Sequence, residues 1–252
     1  GSYRNRCQYI VMNNDKTHPI LITGAGRRIG AHMARRLLES NQPVLAHYRT
    51  KTDDITALEK AGADCIAADF ADASGVRTFA LAVRQRYPQL RGVIHNASSF
   101  GPTVADTDQA AQQFLDFFNI HMLTPFILNR ELASCLQTAD ETATDIIHIT
   151  DIYADNPAPE YDAYCATKAG LQNLALSAAK HLAPKVKVNI IQPGPIAFAD
   201  WQAGEQQQNV LRRTLLERAG GPEVIYQAVR SILDNEFMTG AVIAVDGGRR
   251  WG

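Results

Sequence analysis

The sequence predicts a single α/β domain in which a doubly wound parallel sheet of about seven strands carries helices on both faces. Short apolar runs alternate with longer stretches of helical periodicity, from PILIT at 19–23 to AVIAV at 241–245. The chain has 252 residues, of which 46% are hydrophobic, enough to bury one large core. We find no internal repeat and no low-complexity linker. One domain is therefore expected over 18–252, after an extension over 1–17.

Each strand-like run is followed by a segment that favours a helix or a turn. The predicted strands are 19–23, 43–49, 63–70, 90–98, 144–150, 185–192 and 241–245. The predicted helices are 29–40, 52–62 with Thr52 as N-cap, 74–87, 107–138 and 161–183. Residues 194–220 fit neither pattern, which predicts a loop over the substrate site.

Composition excludes several classes of partner. The formal net charge is -1, so neither nucleic acid nor an anionic membrane is favoured as a partner, and no apolar stretch is long enough to span a bilayer. The sequence has four scattered cysteines without metal-ligand spacing: Cys7, Cys65, Cys135 and Cys165. This pattern predicts reduced thiols in a cytoplasmic protein and no metal site. Gly1 and Ser2 resemble a cloning remnant, so the extension is expected to be partly vector-derived and disordered.

The stretch TGAGRRIG at 23–30 departs from the dinucleotide-binding fingerprint G-x-G-x-x-G. Gly24 follows the first strand, Gly30 lies in the first turn of the next helix, and Arg27 and Arg28 stand between them. A pyrophosphate at this point would meet free N–H groups and the positive end of the helix dipole. The position predicts a Rossmann-type nucleotide site, although a plain strand-to-helix turn also favours glycine.

The end of the second strand indicates which dinucleotide binds. An NAD site places an acidic residue there, whereas an arginine accommodates the 2′-phosphate of NADP. This sequence has HYRT, with Arg49 and no acid before Asp53. Because a guanidinium binds phosphate and a carboxylate repels it, the pattern favours NADPH as the cofactor, with Arg49 contacting its 2′-phosphate. The alternative is that Arg49 is an ordinary surface residue at a strand end.

A candidate catalytic group lies in YDAYCATK, where Tyr164 and Lys168 share one face of the predicted helix. Tyrosine titrates near pH 10, and we expect the ammonium to lower the pKa of Tyr164. Segments that follow other predicted strands support this site: HNAS after the fourth strand, Thr150 and Asp151 after the fifth, and PGPI after the sixth. All of them fall at the carboxyl ends of strands, where open α/β sheets bind ligands.

Together these motifs resemble the short-chain dehydrogenase/reductase family over nearly the whole chain, from ILITG to VDGG. The resemblance implies a catalytic role for Tyr164 and Lys168, and binding of the nicotinamide ribose by Lys168. It also implies a cofactor site formed by Gly24, Arg27, Arg28, Ile29, Gly30, His47, Tyr48, Arg49, Thr50, Asp69, Phe70, Asn96, Ala97, Ser98, Thr150, Tyr164, Lys168, Pro193, Gly194 and Ile196.

Three positions depart from the common family pattern. Asp151 stands where most members have serine, Arg28 replaces a glycine of the turn, and His121 replaces the asparagine that organises a relay water. The first two departures, with Phe100 in NASSF, resemble the pteridine reductase branch, which includes dihydromonapterin reductases. The implied substrate site comprises Arg28, Ser98, Phe100, Asp151, Tyr164 and Trp201, with the pterin stacked between Phe100 and the nicotinamide.

The resemblance therefore implies NADPH-dependent reduction of a 7,8-dihydropterin, of dihydromonapterin or dihydrobiopterin type, by a homotetramer, with possible weak use of dihydrofolate. A proton must reach the imine nitrogen as hydride reaches the adjacent carbon, and Asp151 beside Tyr164, with a pKa raised by burial, can relay it. One alternative is a carbonyl reductase acting on a 3-oxoacyl thioester or another ketone. The other is a non-catalytic NADPH-binding regulator.

Overall fold

The computed structural model describes residues 18–137, 143–198 and 202–252. Its parallel sheet has the strand order β3-β2-β1-β4-β5-β6-β7. The strands are β1 Ile20–Ile22, β2 Val44–Tyr48, β3 Asp64–Ala67, β4 Gly92–His95, β5 Thr144–Ile149, β6 Val186–Pro193 and β7 Val242–Val245. The predicted fold class is confirmed. The predicted extension 1–17, with Cys7, and the predicted site residue Trp201 lie outside the described residues.

The helices follow the strands in the predicted alternation. They are α1 Arg28–Glu39, α2 Asp53–Lys60, α3 Ala73–Arg86, α4 Thr107–Phe118, α5 Thr124–Glu131, α6 Ala133–Leu136, α7 Asp162–Leu182, α8 Glu205–Arg212 and α9 Pro222–Asp234. Thr52 caps α2 as predicted, because its hydroxyl accepts the Ile55 N–H at 3.2 Å. None of the described helices is long and apolar enough to cross a membrane.

Two apolar layers hold the helices against the sheet. On one face, Phe79 of α3, Leu128 of α5 and Leu182 of α7 belong to one buried cluster with residues of the central strands. On the other face, Leu37 of α1 and Val229 of α9 belong to a second cluster. Every residue of β4, β5 and β6 is buried, as expected for parallel strands that are covered by helices on both faces.

The chain reverses direction across the sheet between β1 and β4. The strands β1, β2 and β3 run outward one way, and β4 then begins the series that runs the other way. A crevice forms at such a switch point, at the carboxyl ends of the strands. The fold therefore brings the ends of β1, β4, β5 and β6 to one site.

The structure differs from the sequence prediction in three segments. The segment 107–138, predicted as helical, is divided within the described residues into α4, α5 and α6, with a π-helical turn at Asn119–Leu123. The segment 194–220, predicted to be a loop, contains α8, which buries none of its described residues and so gives a weak periodic signal. Helix α9 was not predicted, although PEVIYQAVRSILD buries Ile225, Val229 and Ile232 at helical spacing.

Candidate active site

The first turn is built around glycines that cannot carry a side chain. Gly24 adopts φ +67°, and a Cβ there would lie 2.7 Å from the Cα of Ala97. A Cβ on Gly30 would lie 2.2 Å from the Gly24 carbonyl oxygen. Gly26 is less crowded, since the nearest atom to its Cβ would be 3.6 Å away. The turn thus still lets a pyrophosphate approach the backbone closely, as in a dinucleotide site, although the glycine spacing differs from the fingerprint.

Side chains from neighbouring strands fix this turn. The Asn96 amide donates to the carbonyl oxygens of Thr23 at 3.2 Å and Gly24 at 3.0 Å. His47 accepts the Gly24 N–H on Nδ1 at 3.1 Å, so its Nε2 carries the proton and donates to Ala68 O at 3.0 Å. Burial lowers the pKa of His47 to about 4, which keeps the ring neutral. Both ring nitrogens of His47 are therefore engaged in positioning the turn.

Arg28 occupies a backbone conformation that favours glycine. Its φ is +52°, in the left-handed region, and its side chain is exposed at the start of α1. A non-glycine residue there carries strain of about 1–2 kcal/mol. The glycine common in the family matches this backbone, whereas Arg28 keeps the conformation and adds a guanidinium. Strained residues of this kind cluster at functional sites.

The carboxyl end of β5 and the start of α7 bring Asp151 and Tyr164 together. The Tyr164 hydroxyl donates to Asp151 Oδ2 at 2.9 Å, and Asp151 Oδ1 accepts the Tyr153 N–H at 2.8 Å. Burial raises the pKa of Asp151 to about 6, against the lowering effects of Tyr153, Lys168 and Tyr164. The raised pKa agrees with the expectation for an acid beside a buried tyrosine, and it leaves Asp151 able to gain and lose a proton near neutral pH.

The predicted effect of Lys168 on Tyr164 is not found. The pKa of Tyr164 is raised well above its usual value, first by burial and then by the charge of Asp151 and the hydrogen bond to it. Lys168 lies with Nζ 5.7 Å from the Tyr164 ring centroid and donates to Ile149 O at 3.2 Å. Burial lowers the pKa of Lys168 to about 8. Burial and, after it, the adjacent Asp151 both favour the neutral hydroxyl, so Tyr164 retains its proton.

His121 lies in the π-helical turn and joins two parts of the site. Its Nδ1 is 2.8 Å from Thr167 Oγ1 on α7, and its Nε2 is 2.8 Å from Ser98 Oγ in the loop after β4. Burial and the nearby charge of Lys168 hold the pKa of His121 well below its usual value. His121 is thus neutral and connects the loop after β4 to the catalytic helix α7, and we call this connection the brace. π-helical turns such as this one recur at functional sites.

Aromatic rings form the wall beside the Asp151–Tyr164 pair. Phe100 stacks on Tyr161 with ring centroids 5.0 Å apart and meets Tyr164 edge to face at 4.9 Å. Tyr153 also stacks on Tyr161, with ring centroids 5.8 Å apart. These contacts place a flat apolar surface within reach of the polar catalytic groups.

One cavity of about 1240 Å³ unites the site. Every predicted catalytic, cofactor and substrate residue within the described part of the chain lines it. The volume exceeds the usual range for one small ligand and has room for a cofactor and a substrate. Sequence reasoning missed further lining residues, among them Asp116, Asn119, Tyr153, Phe198, Gln202, Val210 and Arg249. Tyr153 carried a local signal, since it stands two positions after the predicted catalytic Asp151, and Phe198, Gln202 and Val210 lie in the segment 194–220 that was predicted to cover the substrate site without being singled out.

Known proteins resemble this chain in sequence and in fold. A family model described as enoyl-(acyl carrier protein) reductase matches residues 24–250. Dihydromonapterin reductase of Citrobacter koseri is 40% identical over 238 residues, covering 94% of this chain and 99% of the relative. FolM alternative dihydrofolate reductase 1 of Brucella suis, solved in complex with NADP, has a TM-score of 0.83 and 27% identity, covering 94% of this chain and 96% of that chain. A Serratia marcescens short-chain dehydrogenase/reductase has a TM-score of 0.81 and 25% identity, covering 92% and 98%.

Proposed function

The chain belongs to the short-chain dehydrogenase/reductase family, and from that premise we propose that it is an NADPH-dependent pteridine reductase of the dihydromonapterin reductase type. It converts a 7,8-dihydropterin to the tetrahydropterin. The observation that carries the proposal is the hydrogen-bonded Asp151–Tyr164 pair, 2.9 Å apart, beside the exposed ring of Phe100. A carboxyl group can supply a proton to an imine nitrogen, whereas the serine common in the family suits the oxygen of a ketone.

The chain's own residues fit a nicotinamide dinucleotide. The cradle at Gly24 and Gly30 is closed to any side chain and lies at the positive end of α1. Exposed Arg49 follows β2, where an NAD enzyme would place an acid, and this supports NADPH over NADH. The remaining cofactor contacts that we propose are Arg27, Ile29, Tyr48, Thr50, Asp69, Phe70, Asn96, Ala97, Ser98, Thr150, Pro193, Gly194 and Ile196, with His47 acting through the turn. The reduced nicotinamide, when bound, supplies the hydride.

Proton delivery falls to Tyr164 and Asp151. Because burial gives Asp151 a pKa of about 6, roughly a tenth of it is protonated at pH 7. Protonated Asp151 can pass its proton to the substrate nitrogen directly or through the Tyr164 hydroxyl as the adjacent carbon accepts hydride. Lys168, whose ammonium group donates to Ile149 O, binds the cofactor ribose and supplies a positive charge near the Asp151–Tyr164 pair.

The pterin ring is held by its faces and edges. Phe100 offers one aromatic face, and the guanidinium of Arg28 reaches the ring's electron-rich edge while also contacting the cofactor phosphates. Ser98 lines the cavity with Phe100. We propose Trp201 and the segment 194–220 as further substrate contacts.

We also propose a cytoplasmic homotetramer. Two separate surfaces expose large apolar side chains: Phe114, Leu115, Phe118 and Phe126 on α4 and α5, and Leu215, Leu216, Val242 and Trp251 near β7. Exposed patches of this kind mark protein interfaces, and two independent twofold interfaces generate a tetramer. The free thiols Cys65, Cys135 and Cys165 are compatible with a reducing compartment.

The decisive experiment compares substrates side by side. The oxidation of NADPH, and of NADH in parallel, is followed with dihydromonapterin, dihydrobiopterin, dihydrofolate and an acetoacetyl thioester, with Tyr164→Phe as the inactive control. We expect turnover of the dihydropterins with NADPH. Activity on the thioester alone would support the carbonyl reductase, and tight NADPH binding without turnover of any substrate would support the regulator.

A further inference from the structure

The cavity continues past the catalytic pair to a side chain from the end of the chain. Its described cationic lining residues are Arg27, Arg28, Arg49, Lys168 and Arg249. The first three follow β1 and β2, where the cofactor phosphates are proposed to lie, and Lys168 lies beneath Tyr164. Arg249 comes from the turn after β7, so its charge is left without a role in the proposed chemistry.

The backbone around Arg249 is held firmly. Asp246 accepts the Gly248 N–H at 3.0 Å and the Arg250 N–H at 3.1 Å on its two carboxylate oxygens. The Arg249 N–H donates to Asp246 O at 3.0 Å and starts the short turn Arg249–Trp251. A side chain on such an anchored turn is presented to the cavity from a fixed point, which lowers the entropy lost on binding a ligand.

The charges of the two neighbouring arginines are used differently. Arg250 forms an ion pair with Asp246 at 3.7 Å and lies 5.3 Å from the centroid of the Trp251 ring. By contrast, no carboxylate among the described residues forms an ion pair with Arg249. Arg249 is therefore a partly exposed guanidinium in the cavity that no described carboxylate neutralises, so it is available to a ligand.

Arg249 also lies near the reacting end of the cavity. Burial raises the pKa of Tyr153, the charge of Asp151 adds to this effect, and the positive charge of Arg249 opposes it. Tyr153 lies two residues beyond Asp151 and lines the same cavity. A substrate whose ring lies against Phe100 and Asp151 can therefore extend its side chain along Tyr153 towards Arg249.

We propose that Arg249 is a specificity-determining residue that binds an anionic group, a carboxylate or a phosphate, on the side chain of the pterin substrate. This inference rests on the proposed function, because it assumes a pterin ring at Phe100 and Asp151. Guanidinium binds both anions through paired N–H donors, and no other described cation is available at this end. Arg249 thus improves the use of dihydropterins with acidic side chains, such as dihydrofolate, relative to a protein that lacks this guanidinium.

The test measures substrate preference rather than activity alone. Wild type, Arg249→Ala, Arg249→Lys and the matched control Arg250→Ala are assayed with dihydrofolate, whose side chain ends in carboxylates, and with dihydrobiopterin, whose side chain is uncharged. We expect Arg249→Ala to lower the dihydrofolate-to-dihydrobiopterin ratio of kcat/KM about tenfold, mainly through the KM for dihydrofolate. Arg249→Lys should lower this ratio less, and Arg250→Ala should leave it unchanged. Rising salt should reduce the ratio in wild type and in Arg249→Lys, but not in Arg249→Ala, which has lost the charge that salt screens.

A second pair, dihydroneopterin monophosphate and dihydroneopterin, distinguishes phosphate from carboxylate as the preferred anion. Equal losses of kcat/KM on charged and neutral substrates in Arg249→Ala, or an equal shift of the ratio in Arg250→Ala, would overturn the role of Arg249 while leaving pterin reduction intact. A wild-type protein that turns over the thioester but no pterin would overturn the proposed function and this inference together.

Discussion

Arg28 combines a strained backbone with a positive side chain, and substitution can separate the two. Arg28→Ala removes the guanidinium but keeps a Cβ at φ +52°, whereas Arg28→Gly removes both the guanidinium and the strain. A residue with a Cβ costs about 1–2 kcal/mol in the left-handed region, and glycine gives back about 0.5–1 kcal/mol through its greater freedom in the unfolded chain. With the middle of each range, the glycine variant should therefore be more stable than the alanine variant by about 0.7 kcal/mol.

Thermal unfolding of the cofactor-free variants measures this difference. For a domain of this size it corresponds to a melting temperature about 2 °C higher for Arg28→Gly than for Arg28→Ala. In both variants the loss of one charged hydrogen bond to the substrate, worth about 1.5–3 kcal/mol, should lower kcat/KM for the dihydropterin at least about tenfold. NADPH affinity should fall less, because the cofactor phosphates lose one of several proposed contacts and keep the glycine cradle, the end of α1, Arg27 and Arg49.

Two outcomes would refute this reasoning in different places. Equal melting temperatures for the two variants would show that Arg28 is not strained in the native protein. Parallel losses of NADPH binding and pterin turnover would make Arg28 a phosphate clamp without a substrate role.

Two further predictions concern the proton path and the brace. Since the pKa of Asp151 is raised to about 6, its protonated form is lost as pH rises through that value. The kcat/KM of the wild type should therefore fall above about pH 6. Asp151→Asn should lower kcat/KM about 100-fold and remove the inflection near pH 6 from the profile. An Asp151→Asn profile with the same inflection would assign the titration to another group. His121→Phe keeps an aromatic ring beside Phe117 but loses both hydrogen bonds, so the pterin KM should rise about tenfold while kcat changes less. An unchanged pterin KM with a reduced kcat would contradict a role for His121 in positioning the Ser98–Phe100 loop.

Residues close to strand ends were predictable from the sequence. The apolar runs identify β1 to β7, and residues that follow parallel strands meet at one edge of a sheet, so Asn96 and Asp151 could be placed together with Gly24. Tyr164 and Lys168 could be paired because the helical repeat aligns positions four apart. These inferences need only local periodicity and a topology rule.

Other parts of the site depend on tertiary distances that no local pattern encodes. The spacing of Tyr164 and Lys168 did not reveal that Tyr164 is buried and that its hydroxyl is hydrogen-bonded to Asp151. Burial first, and Asp151 second, raise the pKa of Tyr164, so the predicted direction of the shift was wrong. Arg249 lies nearly 100 residues along the chain from Asp151 and reaches the cavity only because β7 lies beside β6. The brace formed by His121 depends on a π-helical turn, which has no reliable signature in one sequence.

The two sides of the cavity differ in how deeply their supports are buried. The cofactor side rests on β1, β2 and β4, whose residues are almost all buried, whereas α8 on the substrate side buries none of its described residues. Substitutions on a surface helix usually change stability by less than about 0.5 kcal/mol. New substrate preferences can therefore arise by drift in α8 while the cofactor side stays constant, which makes this helix a suitable target for a randomised library.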